Sequence, residues 1–126
     1  MKKKQIETKK APAALGPYSQ GVISNGFIFL SGQVGIDPEN GKLVEGGVAE
    51  QTKQIFSNIK NVLSESDAVL DDIVKVTVFF KNLDDFSLVN SIYSNYFSKP
   101  FPARSAIQAA KLPLDVDIEI EVIASK

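Results

Sequence analysis

The chain has 126 residues, 44% of them apolar and 23% charged, with a net charge of -1 and neither histidine nor cysteine. Such a length fits one domain, residues 1–126, that buries roughly two-thirds of its unfolded surface. The missing residue types exclude disulfides, thiolate chemistry, Ser-His-Asp catalysis and the commonest metal ligand, and the near-neutral balance gives no broad field for nucleic acid or membrane.

Lys2, Lys3 and Lys4 have the charge of a signal-peptide start, but Gln5 to Pro12 supplies no apolar run behind them. Export is therefore not expected, and a cytoplasmic location is. No later segment approaches the roughly 20 apolar residues of a membrane span. Lys9 to Ser19, with Pro12, Gly16 and Pro17, is predicted to be irregular. Tyr18 near its end is either a packing anchor or a ligand contact. Phe27-Ile28-Phe29-Leu30 predicts a strand ending at Ser31-Gly32, and Asp37-Pro38-Glu39-Asn40-Gly41 is a turn cluster. The Ser-Gly pair is either a strand terminus with a bulge or a place where backbone amides approach a ligand.

Between Val48 and Leu63 the apolar positions Ile55, Phe56, Ile59 and Val62 keep the helical period, which predicts a first helix ending near Glu65-Ser66-Asp67. Ile73 to Phe80 alternates and predicts a strand, with Val74, Val76, Val78 and Phe80 on its apolar face. Phe79 interrupts the other, polar face, so that side is expected to be partly covered. A second helix is predicted from Leu83, capped by Asp84, with Phe86, Val89, Tyr93, Tyr96 and Phe97 facing inward. Ala103 to Ala110 and Val116 to Ala124 read as the last two strands. In the final one Ile118, Ile120 and Val122 face the helices while Asp117, Glu119 and Glu121 face away. The order predicts an α+β fold, one mixed sheet with two helices on a single face. Its other face, carrying Phe79 and one of the Phe27 and Phe29 pair, is left for a second copy of the chain to cover.

Two features carry candidate chemistry. Arg104, at the start of a strand behind Phe101-Pro102-Ala103, is either an anion receptor or the partner of Asp117, Glu119 or Glu121 on a neighbouring strand. Glu119 and Glu121 share a face, so burial would make them repel and raise one pKa for acid/base work, whereas exposure would leave a solvated strand edge.

Pro102-Ala103-Arg104-Ser105, Lys111-Leu112-Pro113 and Ile118-Glu119-Ile120 together resemble the signature of the RidA (YjgF-type) reactive intermediate deaminases. Ala11-Pro12-Ala13, Gly16 to Gln20, Ser31-Gly32-Gln33 and Phe86 to Asn90 extend the resemblance over essentially the whole chain. It implies a chorismate-mutase-like fold, a homotrimer with clefts between subunits, and cofactor-free hydrolysis of 2-imino acids to 2-keto acids and ammonia. Carried over by residue, Arg104 would hold the substrate carboxylate and Glu119 would position or activate water. Ser31 and Gly32 would form a pocket wall offering a hydroxyl and an amide, with Tyr18 and Asn90 lining the cleft. Ala106 stands where many relatives have cysteine and would act through its backbone. Two other readings are a non-catalytic keto-acid-binding or regulatory module and a translation-inhibiting endoribonuclease, the latter disfavoured by the absence of a basic aromatic stripe.

Overall fold

The computed structural model describes residues 2–126. Chain entry is a short strand, β1 (Lys4–Ile6), followed by the irregular segment and then β2 (Gly21–Ser24) and β3 (Phe27–Leu30). Asn25 and Gly26 join the last two at φ 52° and 79°, the paired left-handed geometry that matches the twist of a two-residue hairpin. A small hairpin, β4 (Ile36–Asp37) and β5 (Lys42–Leu43), closes over the predicted turn cluster. Helix α1 (Gly47–Ser64), β6 (Ile73–Phe80), α2 (Phe86–Tyr93), β7 (Ala103–Gln108) and β8 (Ile118–Ser125) complete the chain.

The main sheet runs β1-β2-β3-β8-β6-β7, antiparallel throughout except for the parallel β6–β7 pair. It is thus mixed, as predicted. A parallel neighbour requires a crossover, and α2 supplies it. The two strands predicted last are not neighbours, because β6 lies between them.

The core is a single layer between this sheet and both helices. Ile55, Phe56, Ile59, Val62 and Leu63 of α1 are at most 1% exposed, and each contributes about 1.5–3 kcal/mol of burial free energy. Against them lie Ile28, Leu30, Val76, Val78, Phe80, Ile118, Ile120 and Val122. Phe56 also stacks on Tyr96 at 4.4 Å between centroids and meets Tyr93 and Phe97 edge-on, which ties α2 and its following turn to α1. After α1, Asp67 takes φ 56° and the Ala68 N–H returns to the Leu63 carbonyl, so aspartate fills the left-handed position that ends the helix.

Two local expectations need correction. Val74 is 44% exposed while Ile73 is buried, because a register shift between Ile73 and Lys75 bulges the strand and turns Val74 outward. Asp84 does not cap the second helix. Asn82 accepts a hydrogen bond from the Asp84 N–H, starting a short 3-10 turn, Leu83–Asp85, that leads into α2.

Opposite the helices, the sheet face is open in this chain. Phe27, Phe29 and Ile107 are 44%, 41% and 48% exposed there, with Phe79 of β6 half-buried between Ile107 on β7 and the neighbouring β8. No helix among the described residues is long and apolar enough to cross a membrane.

Candidate active site

Strand register decides where the functional side chains point. Arg104 pairs with Val76 and Ala106 with Val78, so both face the helices, whereas Glu119 pairs with Phe79 and faces the open side. The arginine also sits on the edge strand, two strands from Glu119. Within one chain the two principal residues therefore do not converge.

The Arg104 region is a ledge on α2. Its guanidinium carbon lies 4.7 Å from the Tyr93 ring centroid and 5.3 Å from that of Phe86, and Nη1 donates to Asn90 Oδ1 at 2.8 Å. Aromatic faces attract the cation without neutralising it. The predicted alternative of an acidic partner is not realised: the ion pairs among the described residues are Lys53–Glu50 and Lys81–Asp115. Burial raises the pKa of the Tyr93 phenol, an effect that the charge of Arg104 partly offsets. Its hydroxyl is buried and makes no hydrogen bond of ordinary geometry, although Arg104 lies close enough to act on it. Ala106, half-buried beside Asn90 and Arg104, walls the same recess.

Glu119 opens instead on a cavity of about 430 Å³ that Tyr18, Ser31, Gly32, Leu15 and Leu114 also line. A Cβ on Gly32 would stand 2.2 Å from Glu119 Oε2, so glycine is required for the carboxylate to lie against the backbone there. Of the two readings of the Ser-Gly pair, the strand terminus is seen, since β3 ends just before it, and the Gly32 backbone closely meets the Glu119 side chain. Burial raises the Glu119 pKa above the ordinary carboxylate value, and the nearby Glu121 charge adds to the rise. The Ser31 hydroxyl donates to the Ser19 carbonyl at 2.6 Å, so its proton holds the Tyr18 loop and only its lone pairs face a ligand. Tyr18, 54% exposed, is not a packing anchor.

Three buried amides missed by sequence reasoning as functional residues hold the cavity walls. Gln20 accepts from the Thr8 N–H at 2.7 Å and donates to the carbonyls of Thr8, Ala11 and Pro12 at 3.0, 3.3 and 2.8 Å, pinning the irregular segment. Asn58 donates to the Val34 and Ile36 carbonyls at 3.3 and 3.0 Å, and Gln51 brackets Asp117 at 2.9 and 3.0 Å just before β8. In the turn between β7 and β8, Leu114 and Asp115 both take left-handed φ, 58° and 53°, at about 1–2 kcal/mol each.

The α+β domain thus presents an arginine without an ion-pair partner among the described residues and a glutamate with a raised pKa on separate surfaces. A family model described as Endoribonuclease L-PSP matches residues 8–126. A RutC family protein of Pyrococcus abyssi is 51% identical over 126 residues, covering 100% of this chain and 99% of that protein. A 2-iminobutanoate/2-iminopropanoate deaminase of Bos taurus is 49% identical, covering 97% of this chain and 89% of that protein. Among solved structures, RidA from Psychrobacter sp. superposes with a TM-score of 0.93 at 41% identity, covering 98% and 99% of the two chains. The structure of E. coli TdcF with bound serine gives 0.91 at 39% identity, covering 98% of each. The chain belongs to the RidA/YjgF family.

Proposed function

We propose that this chain is a 2-iminobutanoate/2-iminopropanoate deaminase, hydrolysing imines derived from enamines such as 2-aminoacrylate to 2-keto acids and ammonia. The observation that carries the reading is Arg104, a guanidinium held on aromatic faces with no acidic partner, an arrangement suited to receiving a carboxylate. Relatives named for this activity, from Bos taurus and Homo sapiens, are 49% and 48% identical. The bound serine in the TdcF structure is itself a small amino acid with a carboxylate.

Because Arg104 and Glu119 occupy opposite faces, the reading requires two copies of the chain, one presenting its arginine at the other's Glu119 cavity. A homotrimer with three such seams uses the open sheet face, with Phe27, Phe29 and Ile107, as its interior. Arg104 fixes the substrate carboxylate by a bidentate, charge-assisted pair. Glu119, as carboxylate, takes a proton from water as the oxygen adds to the imine carbon, and delivers it to the nitrogen. The C–N bond of the resulting carbinolamine then breaks, the hydroxyl proton leaves with the nitrogen, and imine plus water has become keto acid plus ammonia. No step draws on a metal or cofactor. The Gly32 backbone and the lone pairs of Ser31 restrict the pose.

Mixing two variants tests the shared site. Arg104→Ala and Glu119→Gln should each be inactive in ammonia release, but unfolding and refolding them together should restore activity at about a quarter of the seams, where an intact arginine meets an intact glutamate. No recovery in mixed oligomers would overturn the two-copy site. A second reading comes from the name of a relative from Lactococcus lactis, the regulator AldR, 50% identical. A regulatory module would bind keto acids while leaving imine hydrolysis at its spontaneous rate.

A further inference from the structure

The geometry points to Tyr93 as a further positioning residue: its buried hydroxyl is held ready to accept a hydrogen bond from the Arg104 guanidinium as that group turns to receive a carboxylate. This rests on the reading of Arg104 as a carboxylate receptor and adds the residue that aims it.

How the core treats its polar groups gives the first argument. Gln20, Gln51, Thr52 and Asn58 are buried at least as deeply as Tyr93, and each is hydrogen-bonded. Among the described residues, the Tyr93 hydroxyl is the buried side-chain polar group left without such a bond. A hydroxyl in that state bears its desolvation cost uncompensated, whereas phenylalanine would pack the same ring against Phe56 and Phe97 without it. Packing alone therefore does not account for tyrosine here, and an unmade bond beside a functional group marks a role outside stability.

The surroundings of the hydroxyl give the second. Asn90 and Tyr93 stand one turn apart on the same face of α2, and both reach Arg104. Asn90 Oδ1 fixes the Nη1 edge at 2.8 Å while the rings of Tyr93 and Phe86 support the plane, and the remaining N–H groups exceed what a bidentate carboxylate uses. One of them can turn to the phenol oxygen while a pair meets the ligand. Burial raises the phenol pKa more than Arg104 lowers it, so the hydroxyl stays neutral and accepts without cancelling the positive charge. The recess that these residues share with Ala106, about 10 Å³, holds no more than one water-sized group, so Tyr93 acts through the arginine and not on the substrate.

The test measures pyruvate affinity by NMR titration of the full-length protein, together with KM and kcat for 2-iminopropanoate made in situ, in Tyr93→Phe with and without Arg104→Lys. Tyr93→Phe should weaken pyruvate binding about fivefold, the size of one ordinary hydrogen bond, and raise KM by a similar factor with little change in kcat. Its midpoint in denaturant should stay level or rise, which loss of a structural hydrogen bond would not allow. In the Arg104→Lys background the same change should move the affinity by less than about twofold, because no planar fork is left to aim. An affinity unmoved in Tyr93→Phe, a loss of equal size in both backgrounds, or a loss accompanied by a lower midpoint would each overturn the inference. Pyruvate that fails to bind the unmodified protein would overturn it too. Binding without imine hydrolysis would overturn the deaminase reading alone, with the affinity comparison still deciding for or against Tyr93.

Discussion

The Arg104 ledge and the Glu119 cavity each hold an ionisable group without an ion-pair partner, by opposite means. Arg104 sits on regular structure, β7 above α2, and is held by ring faces and one amide oxygen, none of which carries a formal charge. Glu119 stands on β8 but faces loops, and its pKa is raised by partial burial and a like-charged neighbour. Neither group enters an ion pair with the other or with a third residue among the described residues. An internal salt bridge would have stabilised little at an exposed site and would have consumed the very groups that a ligand must meet. Placing them on opposite faces of one sheet prevents that pairing, and under the proposed function a second copy would supply the missing group.

The largest effect expected from this contrast is at Arg104. Arg104→Lys keeps the charge but loses the planar fork, its pairing with Asn90 and its stacking on Tyr93 and Phe86. Since each charge-assisted bond is worth roughly 1.5–3 kcal/mol, kcat/KM for 2-imino acids should fall about 10- to 150-fold. The melting temperature should hardly move, because the residue is exposed. Near-normal turnover in the lysine variant would remove the ledge from the site.

At the cavity, Gly32→Ala tests whether Glu119 needs its present position. The added Cβ meets the far end of a flexible side chain, so the fold should tolerate it while the carboxylate swings away. Activity should fall about tenfold, less than for the ledge, because the tip can partly relax. In the Glu119→Gln background the same alanine should cost little more, and this non-additivity separates displacement of Glu119 from general damage. Full additivity would mean that Gly32 acts elsewhere.

Gln20→Leu probes the loops rather than the chemistry. It removes four hydrogen bonds from the irregular segment and leaves the Thr8 amide and several carbonyls without partners. A loss of about 2 kcal/mol in denaturant unfolding is expected, with faster amide exchange confined to the segment around Thr8 to Tyr18 and only a few-fold change in kcat. Exchange rising equally at the Arg104 ledge would contradict the separation of the two regions.

Local periodicity made α1, β6 and β8 legible, because each buries one face and leaves a repeating pattern of apolar residues. The β2–β3 hairpin is only weakly legible, because Asn25-Gly26 is a turn signal but Gly21 to Ser24 is short and only half apolar. Other features had no local trace. A bulge turns Val74 outward without altering the alternation around it. Gln51 and Asn58 read as ordinary helix-surface polar residues, yet their partners lie 66 and 24 or 22 positions away. Most consequential was strand order. Arg104 and Glu119 read as neighbours because their strands are consecutive, and only the insertion of β6 between them sets them apart. Motifs name the candidate residues, whereas their separation is a property of topology.

The smallest effect concerns the pH dependence of the cavity, and it separates the two causes of the raised Glu119 pKa. With a folded-state value above the unfolded one, the native chain binds more protons than the unfolded chain between the two. Stability attributable to this group is therefore greatest below the ordinary glutamate value, declines as pH rises through the window, and is level above it. Catalysis runs the other way, because the carboxylate must be ionised to take a proton from water, so kcat/KM should rise with pH across the same window. Glu121→Gln removes the like-charge cause but not the burial. The acid limb should move to lower pH without reaching the position of a free glutamate, and the window in stability should narrow from its upper edge. Glu119→Gln should abolish the window outright while leaving Arg104 able to bind a keto acid, measurable by calorimetry. A limb that stays in place when Glu121 is neutralised would mean that burial alone sets the pKa, or that another group is titrating. A stability window that survives in Glu119→Gln would decide between them, because burial cannot act on a carboxyl that is no longer there.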